Sequence, residues 1–323
     1  MRPLEGSRMP GDALRIAVVG VGHLGRHHAR LLSAMQGATL TAVVDTQPQR
    51  AAEIASSAST RALTDYRDLF GQVDAAVVAV PTEQHCEIAS AFLERGIPVL
   101  VEKPMSRSIA DADRMLEAAA RGKTILAVGH TERHNPAVAA VMRLVTTPRF
   151  IEVHRLSAFP DRSLDIDVVF DLMIHDLDIV LALAGGEVTS IEAVGVPVLT
   201  PKYDIANVRL RFSSGCIANI TASRISRDRV RKIRFFQPDS YVSVDYASQE
   251  VEGFRLVRKA PRPEIEGGPI PVPRDEPLRL ELADFVSAVR DGRAPLVDGV
   301  AGRRALMLAD RIATTMESLG TAG

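Results

Sequence analysis

Short runs of Val, Ile and Leu alternate with amphipathic stretches of helical length along the first 130 residues. The five apolar runs begin at residues 14, 39, 74, 97 and 124. The stretches between them cover residues 23–36, 48–57, 83–95 and 108–121. Continuous apolar runs separated by helices are typical of parallel strands that are buried on both faces. The pattern predicts an α/β domain over residues 13–134, built on a doubly wound parallel sheet.

The pattern changes after residue 136. A helix is predicted at 137–145, and the segments 149–159 and 168–184 lead into β-rich stretches at 189–199, 205–223 and 231–246. Val208, Leu210 and Phe212 alternate with Arg209 and Arg211, as in an antiparallel sheet with one face in solvent. A Pro/Gly-rich loop is predicted at 260–277, before helices at 278–290 and 299–319. We therefore expect an α+β domain with an open, mostly antiparallel sheet over residues 135–323.

Length and charge narrow the class of protein further. The chain has 323 residues, which is more than one hydrophobic core usually organises, and residues 1–12 lack periodicity and are expected to form a flexible extension. Lys and Arg number 39 against 40 Asp and Glu, so nothing attracts the chain as a whole to nucleic acid or an anionic membrane. No apolar stretch is long enough to cross a bilayer, and the first twenty residues lack an apolar signal core, so we expect a cytoplasmic protein. Cys86 and Cys216 are expected to be buried thiols.

A glycine motif, GVGHLG at residues 20–25, lies between the first predicted strand and the first predicted helix. Gly20, Gly22 and Gly25 at this place allow a tight turn, close approach of a pyrophosphate and packing of helix against strand, as in the Rossmann dinucleotide-binding fold. Asp45 ends the second predicted strand, where a carboxylate accepts hydrogen bonds from ribose hydroxyls and repels a 2′-phosphate. This favours NAD over NADP, although Arg50 lies close enough in sequence to offset part of the Asp45 charge.

Two further motifs follow strands of the same predicted sheet. Pro81 and Thr82 come after the third apolar run, and Lys103 and Pro104 after the fourth. Ligands of open α/β sheets bind at the carboxyl ends of the strands, so Lys103 is expected to supply a fixed cation beside the nicotinamide. Composition alone would make Lys103 an ordinary solvated lysine, and its position in the fold argues against that.

Asp171, His175 and Asp178 lie in an otherwise apolar segment. If the segment is helical, this spacing places the three side chains on one face of a mostly buried helix. A carboxylate four residues from an imidazole can orient it and raise its basicity, as a general base requires. A structural Asp–His pair would show the same spacing. His27 and His28 have no third ligand at suitable spacing, so we expect them to pack or cap and expect no metal site.

The chain resembles the glucose–fructose oxidoreductase/inositol dehydrogenase (Gfo/Idh/MocA) family of NAD(P)-dependent sugar and cyclitol dehydrogenases over nearly its whole length. The resemblance rests on GVGHLG, Pro81-Thr82 with His85, Glu102-Lys103-Pro104, Arg133-His134-Asn135-Pro136 and Asp171-x-x-x-His175. It implies that Lys103, Asp171 and His175 are catalytic. It implies an NAD site made of Gly20, Gly22, His23, Leu24, Gly25, Asp45, Pro81, Thr82, His85, Glu102 and Lys103. It implies substrate contacts from Lys103, Arg133, Asn135 and His175, and a homodimer or homotetramer formed through the second domain. The chain departs from the family pattern just before Asp171. The glycine pair that usually stands there is replaced by the segment 167–170, which affects the substrate pocket more than the chemistry.

A narrower resemblance is carried by VVFDLMIHDLDIVLAL at 168–183 and GCIANITASRIS at 215–226. Both are similar to the subgroup that oxidises the 3-hydroxyl of UDP-N-acetylglucosamine. Physical support comes from RISRDRVRKIR at 224–234, which has six basic residues and one acidic residue, because a diphosphate requires such neutralisation. Arg224 is predicted to contact the phosphates. The alternative for this segment is a solvated strand face or a subunit interface.

These observations predict an NAD-dependent dehydrogenase that oxidises a secondary hydroxyl of a sugar or nucleotide-sugar substrate. His175 takes the hydroxyl proton, Asp171 orients the imidazole, and Lys103 stabilises the developing alkoxide, while hydride passes to the nicotinamide. The sequence leaves open which of Lys103 and His175 is the formal base. The alternatives are an inositol or free-sugar dehydrogenase and a non-catalytic NAD-binding regulator, and loss of Lys103 or His175 would have favoured the regulator.

Overall fold

The computed structural model describes residues 13–159, 166–259 and 261–320, so the expected flexible extension at 1–12 lies outside the described residues. The chain forms two compact units. The first runs up to Gly129 and includes Leu278–Val300, and the second comprises His130–Pro277 and the chain from Ala301 onward. Among the described residues, no helix is both long enough and apolar enough to span a membrane.

The first unit contains the predicted parallel sheet. Its strands are β1 (Leu14–Val19), β2 (Ala38–Val44), β3 (Arg61–Leu63), β4 (Ala75–Val78), β5 (Val99–Glu102) and β6 (Leu126–Gly129). Six strands pair in the order β3-β2-β1-β4-β5-β6, all in parallel, which is the order of a dinucleotide-binding Rossmann sheet. All residues of β4, β5 and β6 are buried, which accounts for strands that are apolar without alternation.

Four helices connect the described strands of this sheet, and two of them have recognisable start signals. They are α1 (Gly25–Ser33), α2 (Pro48–Ser57), α3 (Thr82–Leu93) and α4 (Ile109–Gly122). Pro48 occupies the first turn of α2, and the Ser108 hydroxyl caps α4 by accepting a hydrogen bond from the Asp111 backbone N–H at 3.1 Å. The helices connect parallel strands, as the doubly wound prediction requires.

The second unit contains the predicted open sheet. Its strands are β7 (Phe150–Leu156), β8 (Val188–Val196), β9 (Ile205–Phe212), β10 (Ile217–Ser223), β11 (Val230–Phe236), β12 (Ser240–Asp245), β13 (Glu250–Val257) and β14 (Glu264–Ile270). They pair in the order β14-β13-β12-β11-β7-β10-β9-β8, and in the described part of this sheet only β7 and β10 pair in parallel. Ile151, Val153, Val208 and Leu210 pack into one core with apolar residues of α5 (Pro136–Leu144) and α6 (Ile174–Leu183).

The prediction of a loop over 260–277 is wrong for much of that segment, because β14 occupies Glu264–Ile270. The loop was predicted because this segment is rich in glycine and proline. Gly267 has φ +151, and a Cβ there would overlap the Gly253 carbonyl oxygen on β13, so the two strands approach closely only because the residue is glycine. Pro269 is tolerated because β14 is an edge strand.

The two C-terminal helices are α7 (Pro277–Asp291) and α8 (Gly299–Gly320). We expected both in the second domain. Instead, Leu282, Phe285 and Val286 of α7 are buried in the core of the first unit, together with Leu32 of α1 and Val77 of β4. The apolar periodicity of α7 predicts a helix correctly, but periodicity does not say which core the helix joins.

Candidate functional site

The glycine motif forms a tight turn between β1 and α1. Gly20 has φ +85, and a Cβ there would lie 2.7 Å from the Ala79 carbonyl oxygen, while a Cβ on Gly25 would overlap the Gly20 carbonyl oxygen. Gly22 differs, because a Cβ on Gly22 would meet nothing within 4 Å. Gly20 and Gly25 are thus required for packing, and Gly22 leaves a space that a side chain would fill.

In a Rossmann motif this is the place where the backbone approaches the pyrophosphate. Helix α1 begins at Gly25, and no side chain caps it at Leu24 within the described chain, so its first N–H groups can serve an anion. His23 is exposed and Leu24 half-buried on the same turn. At the end of β4, Pro81 is exposed, and Thr82 is the first residue of α3. The structure therefore places these four predicted cofactor residues at carboxyl ends of parallel strands.

Asp45 follows β2, as predicted, and is 5% exposed. Its carboxylate accepts hydrogen bonds from the Val21 N–H at 3.1 Å, the Gln47 N–H at 2.9 Å, and Nε and Nη2 of Arg50 at 2.9 and 2.8 Å. Burial alone would raise the pKa of the Asp45 carboxyl, but the hydrogen bonds from Arg50 and the two backbone N–H groups outweigh it and lower the pKa. Asp45 is therefore an anion joined to the glycine turn, as a ribose acceptor requires.

Lys103 is half-buried in the turn after β5, and the Lys103–Pro104 peptide bond is cis. The predicted cofactor residues Glu102 and His85 lie beside this turn, and their side chains are held in buried hydrogen bonds. The Glu102 side chain is buried, with Oε1 2.7 Å from Nε2 of His28 and Oε2 accepting a hydrogen bond from the Lys103 backbone N–H at 3.2 Å. His85 is also buried, with Nδ1 3.1 Å from the Pro104 carbonyl oxygen and Nε2 2.9 Å from that of Val80. Both side chains support the turn that carries Lys103.

One group of side chains in the first unit has the composition of a metal site. Ligand atoms of His28, Glu102 and Glu281 all lie within 4.8 Å of one another, and all three residues are buried. The sequence did not reveal this group, because its members come from α1, the end of β5 and α7. His28 is buried, and its ring lies beside the carboxylates of Glu102 and Glu281.

Asp171 and His175 lie on either side of a change in helical geometry. Val169–Met173 forms a π-helical turn, and α6 begins at Ile174, so the ideal helical spacing used in the prediction does not hold. Asp171 and His175 are half-buried, whereas Asp178 is 2% exposed and lies 3.3 Å from the Arg133 guanidinium. Asp178 therefore does not share an accessible face with Asp171 and His175, and the π turn leaves these two reachable in an apolar segment.

Buried ion pairs hold α6 at Asp176 and Asp178, directly after His175. Arg155 on β7 binds Asp176 with Nε–Oδ2 at 2.6 Å, and its Nη1 lies 3.1 Å from Glu132. Burial raises the pKa of the Asp176 carboxyl, which the attraction of Arg155 opposes. These partners could not be found from the sequence, and neither could His130, whose ring meets that of His175 edge-to-face with centroids 6.0 Å apart.

Arg133 and Asn135, which are predicted to bind substrate, are both buried. Arg133 is 8% exposed, and its Nη1 is occupied by the Asp178 carboxylate and carbonyl oxygens. Asn135 is 1% exposed and caps α5, because its Oδ1 accepts a hydrogen bond from the Ala137 N–H at 3.0 Å and its Nδ2 donates to the Tyr246 carbonyl oxygen at 3.1 Å. Both residues stabilise the elements around α6.

Arg224, predicted to bind phosphate, is fully buried. Its Nε donates to Asp204 at 2.8 Å, its Nη1 to the Ile166 carbonyl oxygen at 2.8 Å, and its Nη2 to Thr200 Oγ1 at 3.0 Å. Asp204 also accepts hydrogen bonds from the N–H groups of 198–200, and these contacts lower its pKa. A guanidinium with these partners has no path to a ligand, so the prediction for Arg224 is wrong.

The other five cations of the basic segment 224–234 have two kinds of surroundings. Lys232 and Arg234 lie on β11 and face Asp245 at 3.6 Å and Glu152 at 2.6 Å on the neighbouring strands. Arg227, Arg229 and Arg231 are exposed, around the connection from β10 to β11. The six cations therefore do not form one diphosphate site, because strand alternation and ion pairing distribute them.

Two family models match the chain. A model of the oxidoreductase family with an NAD-binding Rossmann fold, named GFO_IDH_MocA, matches residues 14–130. A model of the GFO/IDH/MocA C-terminal domain matches residues 109–237.

Similar proteins cover nearly the whole chain. UDP-N-acetylglucosamine 3-dehydrogenase of Acidithiobacillus ferrooxidans is 36% identical over 94% of this chain and 98% of its own. Its solved structure superposes with a TM-score of 0.89 over 95% of this chain and 98% of its own. Myo-inositol 2-dehydrogenase of Thermotoga maritima is 28% identical over 91% of this chain and 94% of its own.

A further structure, levoglucosan dehydrogenase in complex with NADH and levoglucosan, has a TM-score of 0.86 over 95% of this chain and 98% of its own, at 18% identity, which supports the fold alone. The glycine turn, the acid after β2 and the Lys103 turn all lie within residues 14–130, which the model of the NAD-binding domain matches. The chain belongs to the Gfo/Idh/MocA family of NAD-binding oxidoreductases.

Proposed function

We propose that this protein is an NAD-dependent dehydrogenase that oxidises the 3-hydroxyl of UDP-N-acetylglucosamine to the 3-oxo sugar. The observation that carries the proposal is the likeness over nearly the full length of both chains to the UDP-N-acetylglucosamine 3-dehydrogenase of Acidithiobacillus ferrooxidans. Among the described residues, the presence of Lys103 and His175 argues against a non-catalytic regulator, because both are half-buried on elements fixed by buried hydrogen bonds.

The proposed roles follow from the chemistry of each side chain. His175 takes the proton of the substrate hydroxyl, and Asp171, on the preceding π-helical turn, orients it. Lys103 stabilises the negative charge that develops on the substrate oxygen. Gly20, Gly22, Gly25 and Asp45 hold the cofactor, and NAD, when bound, supplies the hydride acceptor.

The phosphates of the nucleotide require cations other than Arg224. Arg227, Arg229 and Arg231 remain as candidates, because they are the exposed cations of the basic segment 224–234. A guanidinium at the surface can bind a phosphate without first breaking a buried ion pair.

We expect the purified protein to reduce NAD in the presence of UDP-N-acetylglucosamine and to do so far more slowly with free N-acetylglucosamine, free hexoses or myo-inositol. The measurement is NADH absorbance across this panel, with other UDP-sugars included. Mass spectrometry of the product would show the loss of two hydrogen atoms. Reduction of NAD with myo-inositol but with no UDP-sugar would contradict the assignment, and would favour the activity for which the Thermotoga maritima relative is named.

We also propose that the protein is cytoplasmic and forms a homodimer or homotetramer through the outer face of its eight-stranded sheet. Phe150, Phe236, Tyr241 and Phe254 form a row across four strands on this face, with successive ring centroids 5.4, 5.0 and 6.2 Å apart. All four are only partly buried. Adjacent aromatic rings on an exposed face are typical of a protein interface, and a second copy of the chain is the partner that the family resemblance implies.

Substitution Tyr241→Glu should dissociate the oligomer, because it places a charge in the middle of the aromatic row. Light scattering after gel filtration should report the mass of a monomer, and circular dichroism should show an unchanged fold. Ser57→Glu, which adds the same charge at the exposed end of α2, serves as control and should leave the mass unchanged. A wild-type protein that is monomeric at micromolar concentration would contradict the proposal.

A further inference from the structure

The turn that carries Lys103 is held from both sides by buried side chains. On one side, the Glu102 carboxylate accepts the hydrogen bond of the Lys103 backbone N–H at 3.2 Å. On the other, the His85 ring lies 3.1 Å from the carbonyl oxygen of Pro104. The first attachment depends on Glu102 keeping its position, because a free carboxylate could rotate away from the amide.

His28 supplies the contact that fixes Glu102. Its Nε2 lies 2.7 Å from Glu102 Oε1, and the His28 side chain is completely buried. The two carboxylate oxygens of Glu102 thus have different partners, one on α1 and one at the root of Lys103. A carboxylate tied at both oxygens has a single orientation, so any displacement of His28 is transmitted to the Lys103 amide.

Charge in this cluster also indicates a defined role for His28. Burial alone would raise the pKa of the Glu102 carboxyl, but the hydrogen bond and charge of His28, with the charge of Lys103, outweigh it and lower the pKa. The Glu281 carboxylate lies in the same buried group. Two buried carboxylates so close together are costly unless donors satisfy them, and His28 is placed to donate to Glu102.

We propose that His28 is a positioning residue for Lys103, acting through Glu102. This inference rests on the proposed function, in which Lys103 acts on the substrate. His28 lies on α1, the helix whose N-terminus receives the dinucleotide, so the same helix serves the cofactor and the lysine. A displacement of about 1 Å at a reacting group can cost on the order of 10²-fold in rate, which sets the size of the expected effect.

The first test compares two substitutions at one position. His28→Leu removes the donor and should lower kcat by about 10- to 100-fold, with little change in the Kd for NADH measured by fluorescence. His28→Gln, whose amide N–H can take the place of Nε2, should restore most of the loss. Arg30→Gln, on the exposed face of the same helix, is the matched control. If both His28 variants lose kcat equally, or if NADH affinity falls with kcat, the proposed role is wrong.

The second test separates this inference from the role of Lys103 itself. In a double-mutant cycle, adding His28→Leu to Lys103→Ala should cost no further activity, because no ammonium group is left to misplace. Two losses that multiply would show that His28 acts by another route. If Lys103→Ala alone keeps its kcat, the proposed function fails before the inference is tested, so the two failures are distinguishable.

Loss of the His28 ring could also reduce the folded fraction of the protein, because it removes a buried donor beside Glu102. Melting temperature and active-site titration with NADH must therefore accompany each rate. A lower kcat per titrated site supports the proposal, and an unchanged kcat per site with a lower folded fraction overturns it. Elemental analysis of the purified protein should find no stoichiometric metal. A bound metal would overturn the proposal, since a cation on Glu102 would replace its contact with His28.

Discussion

Substitution of Lys103 by Ala should lower kcat for oxidation of the sugar by about 10²- to 10⁴-fold, while the Kd for NADH changes little. The lysine is expected to act on charge that develops on the substrate oxygen, and such an interaction is stronger in the transition state than in the ground state. Its loss therefore affects kcat more than binding. Steady-state rates and NADH fluorescence titrations measure the two quantities separately.

The control for Lys103→Ala is Lys202→Ala, which removes an exposed lysine on a loop of the second unit. It should leave kcat and KM unchanged. Lys103→Arg is also informative, because it keeps the charge but changes the shape of the group, and a partial activity would indicate that charge alone supplies part of the effect. If Lys103→Ala retains near-normal kcat, the residue has no part in the mechanism.

The parallel sheet could be predicted because burial on both faces restricts composition. Strand β4, Ala75–Val78, consists only of small and branched apolar residues, and that restriction is visible in sequence. Strand β3 escaped notice because it has three residues, none of them fully buried. Strand β14 escaped because Gly267 and Gly268 indicate a loop when read locally, and only the partner strand β13 shows that they permit close pairing.

The cofactor motif could be predicted for a related reason. Gly20, Gly22 and Gly25 act within six residues, and Asp45 ends the strand next to β1, so the spacing along the chain fixes their arrangement. The turn from β1 into α1 then follows from local sterics alone.

Buried polar pairs could not be predicted, because their partners are distant in sequence. Arg224 resembles a phosphate ligand when only its basic neighbours are considered. Its role changes once Asp204, twenty positions away, is seen to bind it in the interior. Arg133 is similar, since Asp178 lies 45 positions further along. For both residues it is the partner in the folded chain, absent from the local sequence, that defines the role.

Buried polar side chains support the two elements that carry the proposed catalytic groups. Arg155 and Arg133 fix α6 through Asp176 and Asp178, while His28 fixes the turn before Pro104 through Glu102. Each pair is buried, and each costs desolvation energy that a hydrophobic pair would not. Here each pair includes a residue within three positions of Lys103 or His175, for which the resemblance implies catalytic roles. We infer that the pairs are kept for the orientation they impose.

His175→Ala should also lower kcat by about 10²- to 10⁴-fold, because the reaction loses the group that takes the hydroxyl proton. The substitution also removes a half-buried ring and its contact with His130, so a loss of rate by itself would not separate a base from a packing residue. Added imidazole distinguishes a base at position 175 from a packing residue. A small base that enters the space left by the ring should restore part of kcat in His175→Ala and should have no effect on wild type or on Lys103→Ala. His154→Ala, which removes a half-exposed ring from β7, tests for nonspecific effects of losing a histidine. If imidazole restores no activity while NADH binding and melting temperature are normal, His175 orients the substrate instead of taking its proton, and Lys103 becomes the formal base.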